Sequence, residues 1–146
     1  MKCKDIMTRN PKSITLSTTA MAAAHLMKNE NVGICPVLDE KSQKVVGVVT
    51  DRDLCLGVVA EGKNPAMVKV LELMSGRVVF CHPDDDIHRV ESLMKEYQVR
   101  RVVVLDQDGY CVGIISAGDL ALKLDQPKEV YETVRGIAKP KTLIAV

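Results

Sequence analysis

The sequence predicts an α/β (α+β) fold of two pseudo-symmetric units, each running strand–helix–strand–strand–helix. Three observations predict it. The chain repeats itself: Asp5-Ile6-Met7 returns as Glu72-Leu73-Met74, Leu26-Met27-Lys28 as Leu93-Met94-Lys95, and Val37-Leu38-Asp39 as Val104-Leu105-Asp106, all 67 residues apart. The later segment Gly47-Val48-Val49-Thr50-Asp51-Arg52-Asp53-Leu54 returns as Gly113-Ile114-Ile115-Ser116-Ala117-Gly118-Asp119-Leu120, now 66 apart, so one single-residue gap after Asp39 aligns the halves. Within each half, apolar residues change from helical spacing to short continuous runs in the same order. A duplicated unit of this kind packs as a two-fold pair, and clefts at the seam between units are where ligands sit.

Each half opens on an extended segment, Ser13 to Leu16 and Val78 to Cys81. Ser17-Thr18-Thr19 and Asp84-Asp85-Asp86 follow; their short oxygen-bearing side chains suit the free N–H groups of a helix start. The helices then carry matching stripes, Ala20, Ala23, Leu26 and Met27 in one half and Ile87, Val90, Leu93 and Met94 in the other. The runs Ile34 to Leu38 and Val102 to Leu105 read as strands covered on both faces. Polar turns lead to return strands over Val45 to Val49 and Tyr110 to Ile115, giving a hairpin in each half. A second helix starts near Asp51 and near Ala117; the first carries Leu54, Cys55, Val58 and Val59 on one face and ends near Gly62. Pro127 opens a last helical segment, Lys128 to Ile137, and the residues after Lys139 read as a tail.

Composition narrows the function. Apolar residues make up 47% of the 146, enough for a core, but aromatics only 3%, so aliphatic side chains and Met must fill it. Twenty Lys and Arg against 19 Asp and Glu leave +1, which argues against bulk capture of nucleic acid or an anionic membrane. No signal peptide and no run of membrane-spanning length is visible, and the five scattered cysteines form no C-x-x-C, which suits reduced thiols in a cytoplasm. No phosphate loop, dinucleotide fingerprint, nucleophile elbow or zinc-protease motif is present, and His25, His82 and His88 stand at no metal-ligand spacing with a cysteine. The expectation is therefore a protein that is not an enzyme, requires no cofactor and holds no metal.

The motif that remains is glycine, two apolar residues, Ser or Thr, any two residues, then Asp, present at Gly47–Asp53 and Gly113–Asp119. It places a hydroxyl at a strand end and a carboxylate in the first turn of the following helix. An acceptor-only carboxylate can take two hydrogen bonds from vicinal hydroxyls, as in ribose, and a helix start with a hydroxyl favours phosphate. The same spacing is also a helix cap, and the two roles are compatible. Arg100-Arg101 at a strand start can fork onto phosphate oxygens, whereas Gly33 and Ile34, their counterparts, carry no charge; the two clefts are expected to differ.

This layout, with the motif occurring twice in register, resembles a tandem pair of CBS (cystathionine β-synthase-type) domains, or Bateman module, over residues 2 to 124, and in particular the stand-alone CBS-pair proteins. The resemblance implies a first repeat with its linker over 1–66, a second over 67–125, and a C-terminal helix and tail over 126–146. It implies that Thr50, Asp53, Ser116 and Asp119 hold ribose and phosphate. Arg100, Arg101 and Arg52 become phosphate contacts. Ile14 and Thr15 with Pro36, and Phe80 and Cys81 with Val103, would form the slots for a base. The ligand implied is AMP, ADP, ATP, NAD or S-adenosylmethionine, sensed by a regulatory module that acts on another protein. CBS pairs associate as flat dimers through helix faces, for which Met21 and Ala22-Ala23-Ala24 are suited. The alternatives are a purely structural dimerisation module and a nucleic-acid binder; near-zero charge and few aromatics weigh against the latter.

Overall fold

The structure is a computed structural model that describes residues 1–140. The main elements follow the same order twice. Helix α1 (Cys3–Ile6) and strand β1 (Thr8–Arg9) come first, followed by β2 (Ile14–Thr15), α2 (Ala20–Glu30), β3 (Ile34–Leu38), β4 (Val45–Thr50) and α3 (Asp51–Leu54). A π-helical turn (Cys55–Val59) and a 3₁₀ turn (Val70–Glu72) lead into the second set. That set is β5 (Phe80–Cys81), α4 (Ile87–Tyr97), β6 (Arg101–Leu105), β7 (Cys111–Ser116) and α5 (Ala117–Lys123), closed by α6 (Pro127–Ala138). One sheet has the order β1-β7-β6-β5 and the other β2-β3-β4. The mixed α/β class is the expected one. No helix among the described residues is long and apolar enough to cross a membrane.

Local chemistry explains the matching boundaries. Thr19 caps α2 by accepting from Ala22 N–H (3.1 Å), and Asp86 caps α4 by accepting from His88 N–H (2.9 Å). Both helices end on a left-handed residue, Asn31 (φ 53°) and Gln98 (φ 51°), which turns the chain into the next strand. The parallel pairing Ile14↔Val37 recurs as Cys81↔Val104. In the hairpins Asp39 N–H donates to Lys44 O and Asp106 N–H to Tyr110 O, both at 2.9 Å; the missing residue falls between them. Asp39 accepts from the N–H groups of Lys41 and Ser42, and these bonds hold its carboxyl below the usual range.

The compact units are not consecutive halves. One comprises Met1–Arg9, Val79–Leu105 and the chain from Gly113; the other comprises Asn10–Val78 with Asp106–Val112. In the first, Cys3 N–H donates to Asp85 O (2.9 Å) and Ile87 N–H to Met1 O (3.0 Å). In the second, Val70 N–H donates to Thr18 O and Ala20 N–H to Val68 O, both at 2.8 Å. Each unit thus contains one repeat's helix start and a leading segment that comes from elsewhere in the chain. The core of the Met1–Arg9 unit centres on Met94, Ile115, Leu120 and Val102 to Val104; that of the other centres on Ala23, Cys35, Val37, Val49 and Val70.

The glycine of the repeated motif has a packing role. A Cβ on Gly113 would lie 2.5 Å from Met7 Sδ and 2.9 Å from its Cγ; one on Gly47 would lie 2.7 Å from both Met74 Sδ and the Ser75 carbonyl. The methionine of each leading segment therefore lies across the glycine of a return strand, in contact that any side chain would disrupt. Here the repeated Met and the repeated Gly explain each other.

The helix expected to run from Asp51 towards Gly62 differs in register. After Leu54 it widens into a π turn, with Ala60 N–H donating to Cys55 O at 3.0 Å. The wider turn keeps Val58 buried but leaves Cys55 exposed and Val59 74% exposed, so they do not share one inward face. Gly57 sits against Leu73, where a Cβ would lie 2.5 Å from Cδ2. Gly62, at φ +63°, ends the segment as expected. The helix expected over Lys128 to Ile137 is present as α6; of the expected tail, residues 141–146 lie outside the described residues.

The Met–Gly contact makes a first prediction. Gly113→Ala should lower stability by about 1–3 kcal/mol, as overpacking does, and Met7→Ala in that background should recover part of the loss. Urea unfolding of the four proteins of this cycle checks it; strictly additive effects would mean the two residues do not press on one another.

Candidate functional site

The two motif copies build the same local object. Thr50 ends β4 in extended conformation and Ser116 ends β7 likewise, and each is the cap of the helix that follows. Thr50 Oγ1 accepts from Asp53 N–H (3.2 Å) while Asp53 Oδ2 accepts from Thr50 N–H (2.8 Å). Ser116 Oγ accepts from Asp119 N–H (3.0 Å) while Asp119 Oδ2 accepts from Ser116 N–H (2.8 Å). This reciprocal pair is a capping box with Asp in the acidic position. All four residues are partly exposed, so the hydroxyls and carboxylates remain open to a solute.

One oxygen of each carboxylate is committed to the cap, and the other differs between copies. Asp119 Oδ1 lies 3.5 Å from Lys123 Nζ, which also donates to the Ile6 carbonyl at 2.7 Å and so ties α5 to α1. Among the described residues no cation pairs with Asp53.

A strand start lies beside each junction. Asp51 N–H donates to Gly33 O (3.0 Å), and Ala117 N–H donates to Arg100 O (2.8 Å). The second bond joins the Arg100-Arg101 strand start to the Ser116–Asp119 junction within one unit. Arg100 is exposed and Arg101 half-buried, whereas the Thr50 junction has only Gly33 and Ile34 at the matching place. Arg52 is exposed in the first turn of α3, its N–H donating to Asp51 Oδ1 at 2.9 Å.

The residues expected to line base slots are distributed unevenly. Ile14 and Pro36 are buried and Thr15 partly so; Ile14 pairs with Val37, next to Pro36. In the second repeat Phe80 pairs directly with Val103, and Cys81 and Val103 are buried. The register makes Cys81 the counterpart of Ile14 and His82 that of Thr15. Phe80 therefore matches Ser13 and is an added aromatic, 43% exposed, edge-on to the His82 ring at 5.7 Å. His82 Nδ1 lies 2.8 Å from the Leu105 carbonyl and its N–H donates to Asp85 Oδ2 (2.8 Å), as Thr15 N–H donates to Thr18 Oγ1 (3.1 Å).

Sequence reasoning missed a second cluster. His88 and Glu91 of α4 and Glu129 of α6 bring ligand-type atoms within 4.8 Å of one another. The hydrogen bond to Glu91 raises the His88 imidazole above its ordinary range. The three-residue spacing of His88 and Glu91 was visible, but a helix over 87–97 gives no hint that Glu91 is buried or that Glu129 reaches it. Three of the cysteines, Cys3, Cys35 and Cys81, are buried; burial pushes the Cys35 thiol up to about 11, and a hydrogen bond to Cys3 pushes Cys81 up.

Comparison with known proteins adds the family context. The CBS domain model matches twice, at residues 3–59 and 70–125. The CBS domain-containing protein YhcV of Bacillus subtilis is 37% identical over 119 residues, covering 82% of each chain. The CBS domain pair of MJ0100, solved in complex with 5′-methylthioadenosine and S-adenosyl-L-methionine, superposes with a TM-score of 0.75 at 27% identity over 84% of this chain and 94% of that one. A hexameric CBS-CP12 protein from bloom-forming cyanobacteria superposes with a TM-score of 0.78 at 30% identity, over 88% and 73%.

The capping geometry is itself testable. Ser116→Ala and Thr50→Ala each remove one partner of a reciprocal pair, and each should cost about 0.5–2 kcal/mol of stability. Denaturant unfolding measures the loss; wild-type stability in both variants would show that the junctions are held by something other than these hydroxyls.

Proposed function

Because the chain belongs to the CBS-domain family, we propose that it is a regulatory module that binds an adenosyl ligand at its strand–helix junctions and passes the bound state to a partner protein. The observation that carries this reading is the pair of capping junctions. In each, a hydroxyl and a carboxylate are fixed in place by their own backbone bonds, and the second carboxylate oxygen, without a cation at Asp53 among the described residues and 3.5 Å from Lys123 Nζ at Asp119, can accept from ribose hydroxyls. Such a site needs no reorganisation to accept a sugar, and it offers binding rather than turnover. The MJ0100 pair, which carries S-adenosylmethionine and methylthioadenosine, supports the ligand class; AMP, ADP, ATP and NAD share the same adenosyl group. Arg100 and Arg101 beside Ser116, with exposed Phe80 in the same unit, favour a phosphorylated ligand at the second junction. The first junction, whose strand start carries Gly33 and Ile34 in place of the arginines, suits an adenosyl ligand without that demand. Regulation then requires the ligand to prefer one conformation or assembly, since equal affinity for both shifts nothing.

A homodimer fits one further observation. In the Asn10–Val78 unit Met21, Leu56, Val59, Met67 and Leu71 are all exposed. Exposed apolar surface of this kind favours a second copy of the chain, in keeping with the helix-face association of CBS pairs. A net charge of +1 does not favour nucleic acid.

Titration calorimetry with AMP, ATP, adenosine and S-adenosylmethionine tests the reading. Asp119→Ala should weaken ligand at the second junction by about 1.5–3 kcal/mol, the worth of hydrogen bonds to a charged acceptor, with the protein still folded. Arg101→Ala should remove most of any preference for AMP over adenosine. Unchanged affinity in folded Asp119→Ala would leave the carboxylate as a cap alone. No heat or thermal shift with any of these ligands would favour a purely structural dimerisation module.

A further inference from the structure

We propose that His88, Glu91 and Glu129 form a binding site for a divalent transition-metal ion of the Zn²⁺ type, which clamps the C-terminal helix α6 onto α4. The site is separate from the adenosyl junctions. His88 and Glu91 lie one turn apart on α4, with His88 Nδ1 3.1 Å from Glu91 Oε2; Glu129, in the first turn of α6, brings Oε2 to 3.9 Å from the same nitrogen. An ion bonded at about 2.0–2.1 Å in tetrahedral geometry holds its ligand atoms roughly 3.3–3.5 Å apart, and the two distances bracket that range.

The second observation is the state of the carboxylates. Glu91 is 5% exposed in a helix face otherwise made of Ile87, Val90, Leu93 and Met94. Its Oε1 is buried with no hydrogen-bond partner, and so is Glu129 Oε2. Native structures rarely leave buried acceptors unpaired, and a buried carboxylate with an open oxygen calls for a partner, a water or a cation, that the chain itself does not supply. The hydrogen bond of His88 Nδ1 goes to the other Glu91 oxygen, Oε2, and leaves Glu129 Oε2 3.9 Å away.

The donor set selects the ion. One imidazole nitrogen with two carboxylate oxygens is borderline in softness and suits Zn²⁺ or a neighbouring transition metal, whereas Ca²⁺ and Mg²⁺ prefer oxygen throughout and more ligands. Three protein ligands leave a fourth position for water. The helices are already held together on the C-terminal side of the site. Gly136 of α6 lies against the Lys95 stem, where a Cβ would approach Cγ to 2.5 Å, and Gln98 Nε2 donates to Lys139 O at 2.6 Å. Thr133, fully buried, donates to the Glu129 carbonyl at 2.9 Å and fixes that end of α6. The first repeat has Met21 and Ala24 at the positions of His88 and Glu91, so the site belongs to the second repeat alone.

The test uses the metal-stripped full chain and ZnCl₂ alone. Calorimetry should show one ion per chain, with a rise in melting temperature on saturation. His88→Ala, Glu91→Gln and Glu129→Gln should each weaken binding by at least about tenfold, while Cys55→Ser, which removes the exposed thiol, leaves it unchanged. His88 and Glu129 side chains are 57% and 46% exposed, so these two variants keep the fold, as circular dichroism would confirm. X-ray absorption of the loaded protein should show nitrogen and oxygen neighbours and no sulfur. The proposal is overturned if the wild type takes up no zinc, if folded His88→Ala and Glu129→Gln bind it with wild-type affinity, or if sulfur ligands appear. Any of these results would leave His88–Glu91 as an ordinary ion pair.

Discussion

The turn in which a strand becomes a helix governs this molecule, and a reciprocal pair of hydrogen bonds fixes it twice. A helix start leaves backbone N–H groups without partners. Here a hydroxyl takes one of them and a carboxylate takes another, from Thr50 and Asp53 in one copy and Ser116 and Asp119 in the other. Because each residue restrains the other, the hydroxyl, the carboxylate and the helix start occupy defined positions with no ligand needed to hold them. The same bonds therefore serve stability and recognition. That dual use explains why the cap and the ligand reading need not compete.

The glycine at the head of the motif couples these junctions to the rest of each unit. Its missing side chain admits the methionine of a leading segment, Met7 over Gly113 and Met74 over Gly47. The acid two residues before that methionine has a local task as well: Asp5 accepts from Lys2 N–H and Glu72 from Lys69 N–H, each at 2.9 Å. So the repeated acid–apolar–Met sequence reads as a short capped turn followed by a residue shaped to lie on a bare strand. The copies diverge where chemistry is added. The second gains Arg100 and Arg101, the exposed Phe80 ring and the α6 cover over α4; the first has Gly33 and Ile34 at the arginine positions.

Much of this was legible in the chain. The constant spacing of 67 residues makes α2 the sequence counterpart of α4 and β3 that of β6, because short strands and capped helices are set by local residues. Thr19 and Asp86 were recognisable as caps for the same reason. The leading segments were not. Cys3–Ile6 is a single turn and Thr8–Arg9 a two-residue strand, too short for any periodicity, and their partners are distant in sequence. The widening after Leu54 was hidden because apolar spacing there fits an α-helix, and Gly57, within the wide turn, packs on Leu73, some sixteen residues on. Counting back from the repeat would have shown that His82, not Phe80 or Cys81, matches Thr15. The repeat carries no sign that Glu91 is buried, because α6, which packs on α4, lies outside it.

The central claim is that the junction residues themselves meet an adenosyl ligand, and its most direct test is a nuclear magnetic resonance titration of the ¹⁵N-labelled full chain with AMP and with S-adenosylmethionine. The account predicts that the amides of residues 50–53 and 116–119, which include the four N–H groups of the two capping boxes, move among the largest shifts on saturation with at least one of the two. Spectra in which those amides stay fixed at saturating ligand, whether or not signals elsewhere move, would contradict it.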